Sequence, residues 1–549
     1  MDGDGNYQFK IVPYGGTTMG TAVETEITDY QAPLAQAELT AAGSKSKVEL
    51  SWNAVEGASS YDVYRKLGSD GEAVLVKTTA ENAIIDTDVV EEEPYYYYVI
   101  AKNDKNTSNP SATMQVLTSD GHTGAYVYEN EATKLTVAYK SNDTVFDDNA
   151  LLVLTADEAG TAQLYVNDVL ADTKTVGAGD EMKFEPELKK GRNDVTVIFT
   201  DAEGNATRKT FNFVANPDVD IVVDAAYTGE DGAESDGLPV YKTVQAAVNA
   251  VPEDNAEAKV IYIKNGEYNE RVEVKSPYVS LLGQDSEKTH LFYSVCVANG
   301  NADSMWNRNA MYVDTAATGF TAENLTVENS YDYTNGSDQQ ADALCIVADQ
   351  TACINVRLIG YQDTLLTDTR TKDENGNYAV TRQYFNKCYI TGNVDFIYGA
   401  GTSVFEDCDI VARYTEYKSD GCYTAGRTYA STPYGYVFNN CRFLAEEGVA
   451  DGAYRMARPW GADDSTTFMN CYLGRAISLE TSYGDMSGNL AENARFAEYG
   501  SYGPGYTVNN KRPYLTSTQA AKFKTDTVMG DYDYSARTVS YTHLTLPTT

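Results

Sequence analysis

Short runs in which apolar and polar residues alternate occur throughout the first part of the chain, with turn-forming residues between them. Clear examples, which also contain β-branched and aromatic residues, are residues 48–52, 60–65 and 95–101. This pattern predicts short strands, and their close spacing is typical of a β-sandwich. Residues 32–118 are therefore predicted to form one sandwich module. Residues 1–31 contain one strand-like stretch, at 7–13, and are expected to be a linker or the remnant of a preceding domain.

A second stretch of alternating residues, 119–216, predicts another small β-sandwich. The first module resembles a fibronectin type III domain. The resemblance lies in Leu-Ser-Trp at 50–52, Tyr-Asp-Val-Tyr-Arg at 61–65 and a later tyrosine-rich strand. The second module ends a strand in a Gly-Asn turn at 204–205, which resembles bacterial immunoglobulin-like domains. Two roles stay open for both modules: a spacer without a ligand of its own, or a carbohydrate-binding or cell-wall-binding module.

After residue 217 a different pattern repeats. An Asn, Asp or Lys, often followed by a Cys, stands between two short runs of apolar residues, around positions 324, 387, 407, 440 and 470. Irregular repeats with one strand per step suit a solenoid whose coils tolerate inserted loops. The predicted fold is therefore all-β. A right-handed parallel β-helix spans residues 217–536, with a short helix at 244–250 as its amino-terminal cap, and two β-sandwich modules precede it.

Composition and charge exclude some partners. The chain has 549 residues, and 42 Lys+Arg against 80 Asp+Glu give a net charge of −38. Surfaces that bind nucleic acid are basic, so no nucleic-acid partner is expected. No apolar run approaches the roughly 18 residues that cross a bilayer, so no membrane span is expected. The first residues do not resemble a signal peptide, and we expect a truncated reading frame. Residues 537–549 lack the repeat and are predicted to be an unstructured or artefactual tail.

Cysteine and histidine usage limits the chemistry. All eight Cys lie at or after Cys296, and no pair has the C-x-x-C spacing of a zinc ribbon. The three His, at positions 122, 290 and 543, stand in no context that suggests a Ser-His-Asp triad or a metal site. No metal and no other cofactor are predicted. Cys388 and Cys408, one coil apart, are expected either to stack as thiols or to form a disulfide.

Polar residues recur at intervals close to one coil of the predicted solenoid. Residues that are separated by whole coils line up on one face, so these side chains should meet in one groove. They are Gln340, Gln362, Asp363, Asp395, Arg427, Arg458 and Trp460. Each residue alone has a structural explanation, such as an Asx turn for an Asp or packing against a Trp for an Arg. It is their joint pattern that indicates a site.

Three motifs carry a family resemblance. They are Gln-Asp-Thr-Leu at 362–365, Val-Asp-Phe-Ile-Tyr-Gly at 394–399 and Arg-Pro-Trp at 458–460. In this order and spacing they resemble the motifs of the pectin methylesterase (pectinesterase) family of β-helical carbohydrate esterases. The resemblance implies that Asp395 is the nucleophile and Asp363 the acid and base. It also implies that Arg458 is the partner of the nucleophile.

The same resemblance implies further roles. Gln362 and Gln340 match residues that stabilise the oxyanion, and substrate contacts are implied for Trp460, Tyr398, Arg427 and Tyr361. The chain also departs from the family pattern. Tyr398 stands where Phe is commoner, Asp342 replaces an apolar residue beside Gln340, and the stretch that ends at Arg427 is one residue shorter than the common form.

The implied roles agree with the chemistry of ester cleavage. The reaction needs a nucleophile, a proton for the departing alcohol, and hydrogen-bond donors for the developing oxyanion. Two carboxyl groups can supply the first two if their environments separate their pKa values. Asp395, beside Arg458, is expected to stay ionised. Asp363, nearer another carboxylate and with fewer cationic partners, is expected to hold its proton.

The sequence thus predicts a pectinesterase that hydrolyses methyl esters of pectin (homogalacturonan) to methanol and pectate through an acyl-enzyme. Two alternatives stay open: a β-helical polysaccharide lyase or galacturonase, and a non-catalytic glycan-binding surface protein. The expected partner is methyl-esterified pectin, with glycan or cell-wall contacts through the amino-terminal modules. The catalytic domain is expected to be monomeric, and the protein to be secreted or displayed at the surface of a bacterium.

Overall fold

The computed structural model describes most of the chain. The described residues are 5–11, 14–15, 18–19, 23–30, 34–44, 47–68, 71–90, 93–111, 113–117, 134–202, 206–297, 304–333, 339–372, 374–507 and 512–534. The predicted tail at 537–549 lies outside them, as do the first residues of the predicted second module. The chain divides into two compact units, Met1–Tyr126 and Val127–Thr549.

The first unit consists of antiparallel strands. They are β1 (Gly5–Ile11), β2 (Tyr14–Gly15), β3 (Thr18–Met19), β4 (Val23–Tyr30), β5 (Leu39–Ser44), β6 (Lys47–Trp52), β7 (Ser60–Leu67), β8 (Val74–Thr79), β9 (Ala83–Asp86), β10 (Pro94–Lys102) and β11 (Met114–Leu117). β1 pairs with β4 and β2 with β3, which is more strand than the sequence predicted before residue 32. The sheets β5-β6-β9 and β11-β10-β7-β8 share a core that includes Trp52 and Tyr97. The fibronectin type III assignment stays a prediction.

The second unit begins with another two-sheet sandwich. Its strands are β12 (Leu135–Lys140), β13 (Thr144–Val145), β14 (Leu152–Ala156), β15 (Gly160–Val166), β16 (Val169–Val176), β17 (Glu181–Phe184), β18 (Gly191–Asp201) and β19 (Ala206–Ala215). The sheets are β12-β14-β17 and β13-β19-β18-β15-β16. Phe184, Phe199 and Phe213 lie in their shared core. We refer to residues 134–216 as the junction module, and its immunoglobulin-like assignment stays a prediction.

The remaining strands coil. They are β20 (Ile221–Val223), β21 (Ala233–Ser235), β22 (Leu238–Tyr241), β23 (Lys259–Ile263), β24 (Gly266–Asn269), β25 (Val272–Val274), β26 (Val279–Gly283), β27 (Thr289–Tyr293), β28 (Asn309–Val313), β29 (Thr321–Glu323), β30 (Thr326–Asn329), β31 (Asp342–Ile346), β32 (Thr351–Ile354), β33 (Arg357–Ile359), β34 (Leu365–Thr367), β35 (Arg382–Asn386), β36 (Tyr389–Gly392), β37 (Val394–Gly399), β38 (Thr402–Glu406), β39 (Asp409–Ala412), β40 (Gly421–Gly426), β41 (Tyr436–Asn439), β42 (Arg442–Ala445), β43 (Tyr454–Ala457), β44 (Ser465–Met469), β45 (Tyr472–Leu473) and β46 (Arg495–Tyr499).

These strands form three sheets. Sheet 1 has the order β21-β22-β20-β23-β26-β29-β32-β35-β38-β41-β44-β46, sheet 2 the order β24-β27-β30-β33-β36-β39-β42-β45, and sheet 3 the order β25-β28-β31-β34-β37-β40-β43. From β23 to β42 each strand pairs in parallel with the strand three positions later, so the chain completes one coil for every three strands. The predictions of an all-β fold and of a parallel β-helix are confirmed.

Helices are few and short in the described part of the chain. They are α1 (Val244–Asn249), α2 (Ser517–Ala520) and α3 (Thr525–Met529), with 3₁₀ turns at Ala491–Asn493 and Ala521–Phe523. The helix predicted at 244–250 is present as α1, and the Thr243 side chain caps it by accepting the N–H of Ala246. None of the described helices has the length and hydrophobicity that a transmembrane segment requires.

The repeat that was visible in the sequence marks the corner between sheets 1 and 2. At this corner one residue in each of the six coils from β29 onward has a positive φ: Asn324, Asn355, Lys387, Asp407, Asn440 and Asn470, with φ between 51° and 56°. Asn and Asp tolerate this left-handed conformation better than other residues with a side chain, which explains their recurrence. The conformation turns the chain sharply from one sheet into the next.

The cysteines that follow this corner point into the core. Cys388, Cys408, Cys441 and Cys471 are buried free thiols. The backbone N–H of Cys388 donates to Sγ of Cys408 at 3.3 Å. Of the two arrangements left open for this pair, the structure therefore has stacked thiols. On sheet 1, a ladder of stacked rings fills the core beside them: Phe385, Phe405, Phe438 and Phe468.

The junction module packs against the early coils of the β-helix. Arg192 donates through Nε and Nη2 to the two oxygens of Glu323, each at 2.7 Å. The Thr144 hydroxyl donates to the carbonyl of Gly283 at 2.7 Å. Val214 shares a small buried cluster with residues of β23 and β26. The side chains of Arg192 and Glu323 are only 9% and 0% exposed, so this contact is an interior one.

Candidate active site

The candidate site lies on the outer face of sheet 3. Residues that pair in register across neighbouring strands form a column there, separate from the main core: Tyr312, Cys345, Leu366, Tyr398 and Ala425. Trp306 and Trp460 pack against the edges of this column. The predicted site residues lie at the beginnings and ends of the same strands. The stacking of coils is therefore what brings them to one face.

Asp395 is placed by a β-bulge in β37. The register of β37 against β40 shifts between Val394 and Ile397, and Asp395 itself has a φ of 50°. A bulge inserts an extra residue and re-aims its side chain, often next to an active site. Arg458, just after β43, donates through Nε and Nη2 to the two carboxylate oxygens of Asp395, each at 2.6 Å. Asp395 is 5% exposed, so its carboxylate is buried and held in a fixed orientation.

Asp363 lies directly beside this ion pair. It precedes β34 with a φ of 67°, and its backbone N–H donates to the carbonyl of Val394 at 3.0 Å. Its side-chain Oδ2 accepts a hydrogen bond from Nη2 of Arg308 at 2.7 Å. Because Val394 immediately precedes Asp395, the structure brings the two predicted carboxyl groups to adjacent coils on the same face.

The two carboxyl groups have different electrostatic environments. Burial raises the pKa of Asp363 well above its usual value, and although Arg308 opposes this, Asp342 and Asp395 add to the rise. Burial also raises the pKa of Asp395, but the hydrogen bonds and charge of Arg458 oppose the rise. A bidentate guanidinium favours the charged form of a carboxylate. Asp395 therefore ionises first, and Asp363 keeps its proton to higher pH.

The two glutamines occupy adjacent coils beside Asp363. Oε1 of Gln362 accepts the backbone N–H of Gln339 at 3.2 Å. Since that contact takes the amide oxygen, the NH₂ group of Gln362 faces away from Gln339 and is oriented as a donor. Gln340 is half-buried, and its backbone carbonyl accepts the N–H of Val297 at 3.4 Å. The backbone N–H of Ala341, the residue after Gln340, donates to the carbonyl of Gln362 at 3.1 Å, so the two glutamines lie on neighbouring coils.

Trp460 and Arg427 are in contact. The Arg427 guanidinium lies 4.4 Å from the centre of the Trp460 ring and donates through Nε and Nη2 to Oδ2 of Asp368 at 2.9 and 2.6 Å. The charge of Arg427, which was predicted to contact substrate, is therefore balanced by a buried aspartate within the protein. Its side chain is 25% exposed, which keeps part of it accessible from solvent.

The two tyrosines with predicted substrate contacts are in different settings. Tyr361 is half-buried, stacks on Tyr333 with ring centres 5.3 Å apart, and has the Arg413 guanidinium 4.0 Å from its ring. Tyr398 is 3% exposed. Its hydroxyl accepts from Nη2 of Arg308 at 2.7 Å. The structure therefore places the Tyr398 hydroxyl inside the protein and leaves Tyr361 accessible.

Comparison with known proteins identifies the family of this β-helix. The family model described as Pectinesterase matches residues 233–530, more than half of the chain. The chain belongs to the pectinesterase family. Pectinesterase A of Dickeya dadantii is 32% identical over 342 residues, which covers 55% of this chain and 89% of the relative. The pectinesterase of Petunia integrifolia is 29% identical over 290 residues and covers 50% and 71%.

A solved structure of the pectinesterase family has the same fold. The pectin methylesterase from carrot has a TM-score of 0.50 at 27% identity, covering 59% of this chain and 96% of that chain. All the candidate site residues described above lie within the pectinesterase match. The match begins after the junction module, so the two sandwich modules lie outside it.

Sequence reasoning missed some residues of the candidate site. Arg308 and Asp368 belong to no recognised motif, and nothing in the sequence indicates that they reach the carboxyl pair or Arg427. Asp342 and Tyr398 did carry a signal, because both add polar atoms where the family resemblance expects apolar ones. Buried polar groups need hydrogen-bond partners, and the Tyr398 hydroxyl donates to Oδ1 of Asp342. Among the described residues, no group of His, Cys, Asp and Glu is arranged to hold a metal ion.

Proposed function

We propose that this chain hydrolyses methyl esters of galacturonate residues in pectin, with Asp395 as nucleophile and Asp363 as acid and base. The observation that carries the proposal is the forked Asp395–Arg458 ion pair next to Asp363, whose own pKa is raised by burial. One carboxyl group that ionises at lower pH beside another that keeps its proton to higher pH is the arrangement this chemistry requires.

In the first half-reaction, an oxygen of Asp395 forms a bond to the ester carbonyl carbon. Arg458 keeps the carboxylate aligned, and the NH₂ groups of Gln362 and Gln340 donate to the oxygen on which negative charge develops. As the bond between the carbonyl carbon and the methoxy oxygen breaks, Asp363 gives its proton to that oxygen. Methanol departs and leaves an anhydride between the substrate and Asp395.

In the second half-reaction, water cleaves the anhydride. Asp363, now a carboxylate, accepts a proton from water while the water oxygen bonds to the substrate carbonyl carbon. The bond from that carbon to the Asp395 oxygen breaks, which releases the galacturonic acid carboxyl group and restores the Asp395 carboxylate. The released carboxyl group then loses its proton to solvent. The proton taken up by Asp363 returns it to the acid form for the next turnover.

Groups around the carboxyl pair support a polysaccharide as substrate. Trp460 and Tyr361 offer partly exposed aromatic surface, and the guanidinium groups of Arg427 and Arg413 lie against their rings. Aromatic rings suit sugar faces, while cations suit the free carboxylates of a partly esterified polymer. We assign catalysis to residues 217–536. We further propose glycan or cell-wall contacts for residues 32–118 and 119–216 and a monomeric catalytic domain. We also propose that the protein is secreted by a bacterium or displayed at its surface.

The experiment that tests the proposal is methanol release from esterified pectin by the whole chain. Reducing ends and unsaturated products are measured in the same reaction. The proposal expects methanol without either of the other products. Reducing ends would indicate a galacturonase, and unsaturated products would indicate a lyase. Retention on pectin without any product would indicate a glycan-binding protein.

A further inference from the structure

A buried polar cluster lies behind Asp363. Arg308, whose side chain is 10% exposed, donates through Nε to Oδ1 of Asp342 at 3.2 Å and through Nη2 to Oδ2 of Asp363 at 2.7 Å. The Tyr398 hydroxyl donates to Oδ1 of Asp342 at 3.0 Å and accepts from Nη2 of Arg308 at 2.7 Å. One guanidinium therefore bridges two carboxyl groups, and one hydroxyl closes the ring.

The charges of this cluster do not balance if both carboxyl groups ionise. Arg308 carries one positive charge, while Asp342 and Asp363 together would carry two negative charges. Asp342 is fully buried, and its Oδ2 has no hydrogen-bond partner among the described residues. Burial raises the pKa of Asp342 to about 7, although Arg308 and Tyr398 favour its charged form. Asp342 therefore ionises within the neutral range.

We propose that Arg308, Asp342 and Tyr398 are positioning residues that set the protonation of Asp363. In this arrangement Asp342 takes up the charge of Arg308, so that Asp363 keeps the proton that the leaving methanol needs. Tyr398 stabilises the charged form of Asp342 through its hydroxyl and thereby acts on Asp363 indirectly. The inference rests on the proposed function, because it assigns this network to the acid of that reaction.

The other charged and titratable groups that face Asp363 come from two elements. Asp395 lies in β37 and raises the pKa of Asp363, while Arg458, after β43, lowers it. Their charges cancel within their own ion pair, whereas Arg308 is shared between Asp342 and Asp363. The thiol of Cys345 in β31 is also close to Asp342, and burial raises its pKa well above the usual value, so it stays neutral. Asp342 is therefore the group whose charge decides how strongly Arg308 acts on Asp363.

The test is the pH profile of kcat/KM for methanol release by the whole chain carrying Asp342→Asn. Without the Asp342 charge, Arg308 acts on Asp363 alone and lowers its pKa. The alkaline limb, on which Asp363 loses its proton, is expected to move to lower pH by about 1–3 units. Tyr398→Phe should move it in the same direction by less. In the Asp342→Asn background, Tyr398→Phe should add little, because Tyr398 acts through Asp342.

The chain supplies a matched control. Glu498, with a fully buried side chain, accepts from Nε of Arg512 at 2.7 Å and from the Tyr483 hydroxyl at 2.9 Å, which is the same combination of groups at another place. Glu498→Gln should lower thermal stability about as much as Asp342→Asn and leave the pH profile unchanged.

Each outcome separates the network from the proposed function. Unshifted limbs in both Asp342→Asn and Tyr398→Phe, with or without a uniform loss of rate, would assign the cluster a purely structural role and overturn the inference. If Asp342→Asn fails to fold, the shift in Tyr398→Phe decides. The absence of methanol release from the wild-type chain would instead overturn the proposed function.

Discussion

At the scale of single residues, the candidate site depends on backbone conformations that residues other than glycine rarely adopt. Asp395 and Asp363 have φ values of 50° and 67°. Such conformations cost free energy and persist where the surrounding structure fixes them, and they are often found at active sites. Here the hydrogen bond from the Asp363 N–H to the Val394 carbonyl and the fork from Arg458 to Asp395 supply that constraint.

The oxyanion role proposed for Gln362 gives a prediction at this scale. Gln362→Ala removes an oriented N–H donor and should lower kcat by about 10²–10³-fold with a smaller change in KM. Gln284 is a matched control, because it is half-buried and its Oε1 likewise accepts a backbone N–H, that of Asn265 at 2.9 Å. Gln284→Ala should leave kcat within a few-fold. Equal effects of the two substitutions on kcat would remove Gln362 from the proposed mechanism.

The spacing of residues along the chain predicted some members of the candidate site and missed others, because only some of them follow the period of the coil. Residues at whole-coil spacing, such as Asp363 and Asp395, can be predicted to share a face because stacked coils repeat. Arg308 lies just before β28 in a loop of irregular length, and the direction of its side chain depends on that loop rather than on any period. For Tyr398 the family resemblance implied a substrate contact, but burial of its hydroxyl depends on partners from two other coils.

At the scale of elements, the repeated Asn, Asp or Lys is explained by the corner between sheets 1 and 2. The sequence showed the recurrence without the reason, because φ cannot be read from residue type alone. The insertion between β34 and β35 leaves this corner unchanged, since Asn355 and Lys387 on either side have nearly the same φ, 51° and 53°. The corner therefore fixes the coil while loops elsewhere vary in length.

Asn470 tests the importance of the corner conformation. It has a φ of 56° and is 3% exposed. Asn470→Ala should lower the free energy of unfolding by about 1–2 kcal/mol, because the Ala side chain is disfavoured in the left-handed region. Asn470→Gly removes the same side chain but adopts this φ freely, so it should be the more stable of the two in denaturant unfolding. An Ala variant as stable as the Gly variant would show that the backbone conformation is not what selects Asn here.

At the scale of the whole second unit, the junction module and the β-helix share an interior. The sequence predicted separate domains on either side of residue 216. In the structure, the last strand of the junction module ends at Ala215 and the first strand of the coil begins at Ile221, within one compact unit. The contact between Arg192 and Glu323 joins residues far apart in the chain, and no local pattern reports such a pair. The assignment of separate catalytic and accessory domains therefore stays a prediction. Because the two parts share an interior, we do not expect them to fold independently of each other.

The interior ion pair predicts how strongly the two parts depend on each other. Arg192→Met leaves the buried Glu323 carboxylate without its guanidinium and should lower the free energy of unfolding by about 3–5 kcal/mol. Lys190→Met is the control, because Lys190 pairs with Asp218 at the same junction with both side chains about half exposed. That change should cost at most about 1 kcal/mol. A loss for Arg192→Met as small as for Lys190→Met, in denaturant unfolding of the whole chain, would argue against a shared interior.

The measurement that tests the central claim most directly is methanol release from esterified pectin by the whole chain carrying Asp395→Asn. Removal of the nucleophile should lower kcat by at least about 10³-fold while the thermal unfolding midpoint stays close to that of the wild type. Asp409→Asn is the control, since Asp409 forms the same kind of forked pair with Arg442 in sheet 2, and it should keep full activity. An Asp395→Asn variant that retains activity within about tenfold of the wild type would contradict the assignment of Asp395 as nucleophile.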